Sequence, residues 1–246
     1  MINHINKITF KLFTLIVIMI GGMLSTQAIA DSENTSNLKS DKSKSAMRMP
    51  MYQPPRRGAP GLTVGGGTRG VMGDKPAIHA LAPNHTGFTA SEQPTLSWYM
   101  SKPSSMRFEF MLIDDEGTEP LLELTLDAAQ LKRGIQSLNL ADHGVKLKPG
   151  VQYQWSVSLI PEESNRSNDI VSGGIIERQT LEDSLELKLN KANPTEDVFI
   201  YAEEGYWYDA IASLTKLIEK DPGNELLKKQ RAELIHQGGL AADIND

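Results

Sequence analysis

The chain has 246 residues, a formal net charge of −6 and 23% charged residues, so it carries no overall basic field for nucleic acid or an anionic membrane. It has no cysteine, which excludes disulfides, thiolate zinc sites, iron–sulfur clusters and cysteine nucleophiles, and leaves packing alone to stabilise it. Its length allows one large domain or two small ones.

Residues 1–30 read as a signal peptide. Lys7 and Lys11 are its only Lys or Arg residues, Leu12 to Leu24 is nearly all apolar, and Ala28-Ile29-Ala30 offers small residues for cleavage. The apolar run is short of the ~20 residues that span a bilayer. The expected product is therefore periplasmic or secreted, with no stable membrane insertion after cleavage. Residues 31–49 are polar and lack hydrophobic periodicity, which predicts a disordered linker. Residues 50–75 form a Pro/Gly/Arg-rich extended segment in which Arg56, Arg57 and Arg69 are candidate interaction residues. GLTVGGGT within it lacks the lysine of a phosphate-binding loop. Its glycines and arginines suit a segment pressed against another backbone and facing the acidic helical part further on.

Residues 76–180 carry a pattern of short strands. These are Ala77–Ala82, Leu96 to Met100, Met106 to Leu112, Leu122 to Leu126, one marked by Leu138 and Leu140, Val151 to Ile160, and Ile170 to Glu177. The sixth is the clearest. Val151, Tyr153, Trp155, Val157 and Leu159 alternate with polar residues, the period of a strand with one buried face. Leu147-Lys148-Pro149-Gly150 before it has the layout of a tyrosine corner, in which the Tyr153 hydroxyl bonds back to upstream backbone. Seven strands with regular turns predict an antiparallel β-sandwich of immunoglobulin or fibronectin III-like kind, with Trp98 and Trp155 meeting across its sheets.

Residues 181–240 shift to helical periodicity and give an α+β chain overall. Leu181, Leu185 and Leu189 are spaced by four, Asn193-Pro194 breaks that helix, and Asp221-Pro222 ends a later one. Gly205, Ala210, Leu214 and Pro222 sit at the spacing of the second helix of a tetratricopeptide repeat, followed by a capping helix at Glu225–Gln237. One such unit cannot bury a solenoid core alone, so the helices are expected to pack on one another and on the sandwich.

Several segments together resemble a chiefly cyanobacterial family known as domain of unknown function 928. They are RRGAPG…VGGGTRG, LAPNHTGFTASEQPTLSWYM, YQWSVSLI…NRSNDI…GGIIER and the AEEGYWYDAI segment at Ala202–Ile211. Pro161 stands where many members carry a cysteine. The resemblance implies an exported two-part protein and brings no activity or site residues with it.

No catalytic, cofactor-binding or metal-binding set emerges. The histidines lack HxxxH or HExxH spacing, Asp114-Asp115-Glu116 reads as a solvated turn, and no GxSxG or SxxK element is present. Asn165, Arg166 and Asp169 in the loop after the sixth strand are candidate contacts, since sandwich loops cluster at the sheet ends. Tyr206 is a candidate interface anchor beside Trp207, which is expected to pack inside the helical unit. The expectation is a non-enzymatic module that binds an unidentified protein partner in the cell envelope. The alternative is a carbohydrate- or cell-wall-binding sandwich using Trp98, Tyr99 or the loops.

Overall fold

The computed structural model describes residues 48–55, 76–126, 131–240 and 244. The signal segment, nearly all of the linker and residues 56–75, including Arg56, Arg57 and Arg69, lie outside the described residues. The chain from Met47 onward forms one compact unit, so its sheets and helices share a core.

The strands are β1 (Ile78–Ala80), β2 (Gly87–Thr89), β3 (Thr95–Met100), β4 (Arg107–Asp114), β5 (Pro120–Leu126), β6 (Gly134–Asn139), β7 (Gln152–Ile160) and β8 (Ile170–Arg178). Helices α1 (Asp183–Lys191), α2 (Pro194–Glu203), α3 (Trp207–Lys220) and α4 (Glu225–Gln237) follow. One sheet has the order β1-β3-β6 and the other β2-β8-β7-β4-β5.

The chain is sandwich-like, but the expected seven-stranded antiparallel immunoglobulin or fibronectin III fold is corrected. Eight strands are present among the described residues, and β2 pairs with β8 in parallel. Three residues are too few to show a period, so β2 left no pattern in the sequence. It also leaves the sheet of its sequence neighbours β1 and β3 to edge the other one.

The alternating residues of β7 do form its buried face: Tyr153, Trp155, Val157 and Leu159 are all at or below 2% exposure. The Tyr153 hydroxyl accepts from the Lys148 backbone N–H at 3.0 Å, as the corner requires. Gly150 makes the turn at φ 73°, a conformation costly for any residue with a Cβ. Trp98 reaches the facing sheet by stacking on Phe108 at 5.2 Å, with Phe110 at 6.4 Å. Phe110 in turn stacks on Trp155 at 6.2 Å, so the two tryptophans are joined through β4.

The helices complete the core. Both faces of β3 are buried from Leu96 to Met100, and α3 packs on β3 and β2. Asn193 caps α2 through its side chain, Glu196 returns the bond to the Asn193 N–H, and Pro194 fills the first turn where no donor is needed. That is why the chain breaks there. On α3, Trp207, Ala210, Ile211, Leu214 and Ile218 turn inward, and Gly205 enters it at φ 83°.

Candidate interaction surfaces

The Tyr206-Trp207-Tyr208 run faces inward. Trp207 is fully buried and its indole N–H donates to the Leu81 carbonyl at 2.8 Å. Tyr208 lies between the two halves of the core. Its hydroxyl accepts from the Trp155 indole N–H at 2.9 Å and donates to the Ile175 carbonyl at 3.1 Å. Burial raises its pKa, so the phenol stays protonated and both bonds are kept. The sheet makes room with glycine: a Cβ on Gly87 would stand 2.6 Å from the Tyr208 ring. Tyr206 is 8% exposed and meets Tyr201 edge-on at 6.2 Å, so the ring offered as an interface anchor is mostly covered.

Asp209, in the first turn of α3, ties the segment after β2 to the helix by accepting from the Ala90 N–H at 2.9 Å. Burial pushes its carboxyl up to about 6, although hydrogen bonds from Ala90, Thr89 and Ser91 favour the anion. Only this spatial partner, 119 positions away in the chain, sets Asp209 apart from the other acidic residues of the helices.

Residues 48–55 cross the helical unit as a strap. Gln230 donates to the Arg48 carbonyl at 2.6 Å, and Gln237 donates to the Pro50 carbonyl at 3.0 Å and accepts from the Tyr52 N–H at 2.6 Å. The Gln53 N–H donates to the Ala202 carbonyl at 3.0 Å. Arg48 pairs with Glu203 and lies 4.8 Å over the Phe199 ring. Tyr52 meets Trp207 edge-on at 5.0 Å, and its hydroxyl lies 2.8 Å from His85 Nε2. Asn84 Oδ1 at 3.1 Å from Nδ1 holds the ring proton on that nitrogen, so Nε2 accepts from Tyr52. Burial lowers the His85 pKa, which favours the neutral ring this arrangement needs. Arg48, which meets the helices through Glu203 and Phe199, precedes the Pro/Gly/Arg-rich segment. The expected pairing of Arg56, Arg57 and Arg69 falls on residues outside the description.

The loop candidates join residues that no local pattern connects. Arg166 pairs with Asp169 at 2.6 Å and with Glu109 of β4 at 2.7 Å. Arg107 approaches the same Glu109 at 3.2 Å and Glu163 at 3.0 Å. Glu109 and Asp169 hold the Arg166 guanidinium even more firmly protonated than usual. Asn165 precedes a short 3-10 turn, Arg166–Asn168, and makes no side-chain capping bond. The cluster is a lattice of opposite charges in which two arginines share a buried glutamate. Its exposed members are screened by water and contribute little stability each.

Asp114-Asp115-Glu116 is a turn with its own internal partners. The Glu116 N–H donates to the Asp114 carboxylate at 3.2 Å, and Gln154 donates to Asp115 at 2.9 Å. Among the described residues, no group of three or more His, Cys, Asp or Glu could hold a metal ion. Trp98 and Tyr99, the aromatics of the carbohydrate alternative, are 2% and 4% exposed and offer no stacking face to a sugar.

What stays open is β5. Among the described residues it pairs with β4 alone, and its residues alternate between exposed and half-buried along the strand. Leu121 is 46% exposed. The LLELTL pattern read as an ordinary strand, because alternation reports a face and not whether the strand lies at an edge.

The family model described as Domain of Unknown Function (DUF928) matches residues 64–245, which span both the sheets and the helices. The chain belongs to that family. No curated protein matches it. No helix among the described residues is long and apolar enough to cross a membrane.

Proposed function

We propose that this chain is an exported, non-enzymatic protein-interaction module acting in the periplasm or outside the cell. The observation that carries the reading is the contrast between its filled interior and its open edge. The aromatic, histidine and acidic side chains offered by the sequence are largely engaged in packing, hydrogen bonds or ion pairs within the chain, while β5 presents bare strand backbone and leucine side chains to solvent. Such an edge is a template for another chain. The tetratricopeptide-like spacing of α3 supports the same reading, because units of that kind serve protein contacts. The signal-like segment at residues 1–30 supplies the route out of the cytoplasm.

Two measurements test this. Mass spectrometry of the protein recovered from the producing cell should show an N-terminus at Asp31 outside the cytoplasm; an intact Met1 terminus in the cytoplasmic fraction ends the export reading. The tagged mature chain should enrich a discrete protein set from envelope extract over a tag-only control. Repeated failure to enrich any protein removes the module reading.

A further inference from the structure

We propose that the free edge of β5 is a strand-addition site for an extended partner segment of about seven residues that alternates aliphatic and basic side chains. This rests on the interaction-module reading and names its surface and the chemistry of its partner.

Four strands end the two sheets: β1, β2, β5 and β6. β1 and β2 have three residues each, too short to hold a guest strand. β6 has six residues, enters through Gly134 at φ 102° and carries the polar Gln136, Ser137 and Asn139. β5, with seven residues, is the longest of the four. Natural sheets blunt such edges with lysine, proline, bulges or brevity. Here Pro120 and a register shift beside Leu112 and Ile113 guard only the hairpin end. From Leu121 to Leu126 there is no lysine, proline or glycine.

The two faces of the strand say what the guest should carry. Leu122, Leu124 and Leu126 face the core side and are only half-buried, so aliphatic side chains beside them would extend the same apolar layer. Leu121, Glu123 and Thr125 point the other way and are exposed. Glu119, also exposed, precedes the strand at the hairpin end, whereas Asp115 donates its N–H to the Gln152 carbonyl and accepts from Gln154 on the β7 side of β4. Arg107, which reaches Thr125 of the strand, is already engaged by Glu109 and Glu163. The face beside the free backbone is therefore acidic and favours lysine or arginine on alternate guest positions. A second copy is a poor occupant, because antiparallel pairing of β5 with itself about its centre sets Glu123 opposite the same carboxylate of the other strand.

The test uses the purified chain and three peptides. These are Lys-Val-Lys-Val-Lys-Val-Lys, the same peptide N-methylated on alternate amides, and Glu-Val-Glu-Val-Glu-Val-Glu. The basic peptide should bind, slow hydrogen exchange along β5 and leave the helices unchanged. N-methylation should weaken it at least ten-fold by removing strand hydrogen bonds while keeping every side chain. Glu119→Lys with Glu123→Lys should weaken the basic peptide and strengthen the acidic one, at unchanged thermal stability. Equal binding of the N-methylated peptide, protection away from β5, or a dimer that buries β5 in sedimentation each overturns the proposal. If the double variant still captures its envelope partner and no peptide binds, the edge site falls and the module reading stands. If peptides bind at β5 but neither form captures a partner, the module reading falls and the edge site stands.

Discussion

The seam between the sheets and α3, and the free edge of β5, put the same kind of backbone to opposite uses. At the seam, indole N–H, phenol and carbonyl groups are buried and paired: Trp155 to Tyr208, Tyr208 to Ile175, Trp207 to Leu81. At the edge, leucines and strand backbone meet water with no neighbour among the described strands. A buried polar group without its partner costs far more than an exposed one, because water re-pairs the second and cannot reach the first. Substitutions at the seam should therefore cost stability, and those at the edge should cost contacts with other molecules.

The largest effect should come from Trp155→Ala. It empties a site of 2% exposure between Phe110 and Tyr208 and takes one of the two hydrogen bonds from the Tyr208 hydroxyl, for roughly 3–5 kcal/mol. The denaturant midpoint reads it, and an unchanged midpoint would mean that the seam does not hold the two halves together.

Tyr208→Phe is the sharper probe. The ring stays, but the Trp155 N–H and the Ile175 carbonyl lose their partner in the core, which should cost on the order of 1–3 kcal/mol. Tyr153→Phe loses a single bond, to the Lys148 N–H, and should fall at the low end of that range. Trp98 gives an internal control: its indole nitrogen is buried without a partner among the described residues. Trp98→Phe therefore loses ring volume and no hydrogen bond, and equilibrium unfolding should separate the two kinds of loss.

These residues also mark how far the sequence could be read. β7 was legible because its alternation and its corner are local, and the helix ends at Asn193-Pro194 and Asp221-Pro222 because proline announces them within one turn. The seam was not legible. Tyr208 and Trp155 lie 53 positions apart, and no local pattern says that a phenol on a helix will meet an indole on a strand. Tyr206 was offered as an interface anchor because aromatics mark such sites, yet it is mostly covered and meets Tyr201 edge-on. Arg166 was singled out from its loop, but its partner Glu109 could be found only once the sheet had brought β4 beside the end of β7.

Between seam and edge stands Asp209, at the rim of the helix–sheet contact. Its folded pKa of about 6 lies above the unfolded value near 3.9. Between those values the folded state binds more protons, so the carboxyl contributes most to stability below about pH 4. That contribution is lost as pH rises toward 6 and does not change further above it. The slope is at most about 1.4 kcal/mol per pH unit. Asp209→Asn keeps an oxygen for the Ala90 N–H and removes the titration. The wild-type minus variant difference in unfolding free energy should fall over that window, and a flat difference would show that Asp209 is solvated as in the unfolded chain.

The smallest stability effect belongs to the edge. Leu121→Lys places a solvated cation on an exposed position of β5 and should change the unfolding free energy by less than about 0.5 kcal/mol. The added lysine is also the guard that natural edges carry and this one lacks, so it should discourage any added strand. Thermal unfolding paired with an aggregation assay at rising protein concentration reads both consequences. Unchanged unfolding with less association would place the edge among surfaces kept open for another chain rather than for the chain's own stability. A loss of more than about 1 kcal/mol would instead show Leu121 to be part of the packed core, because exposed positions away from buried features rarely move stability that far. The contrast between seam and edge would then dissolve.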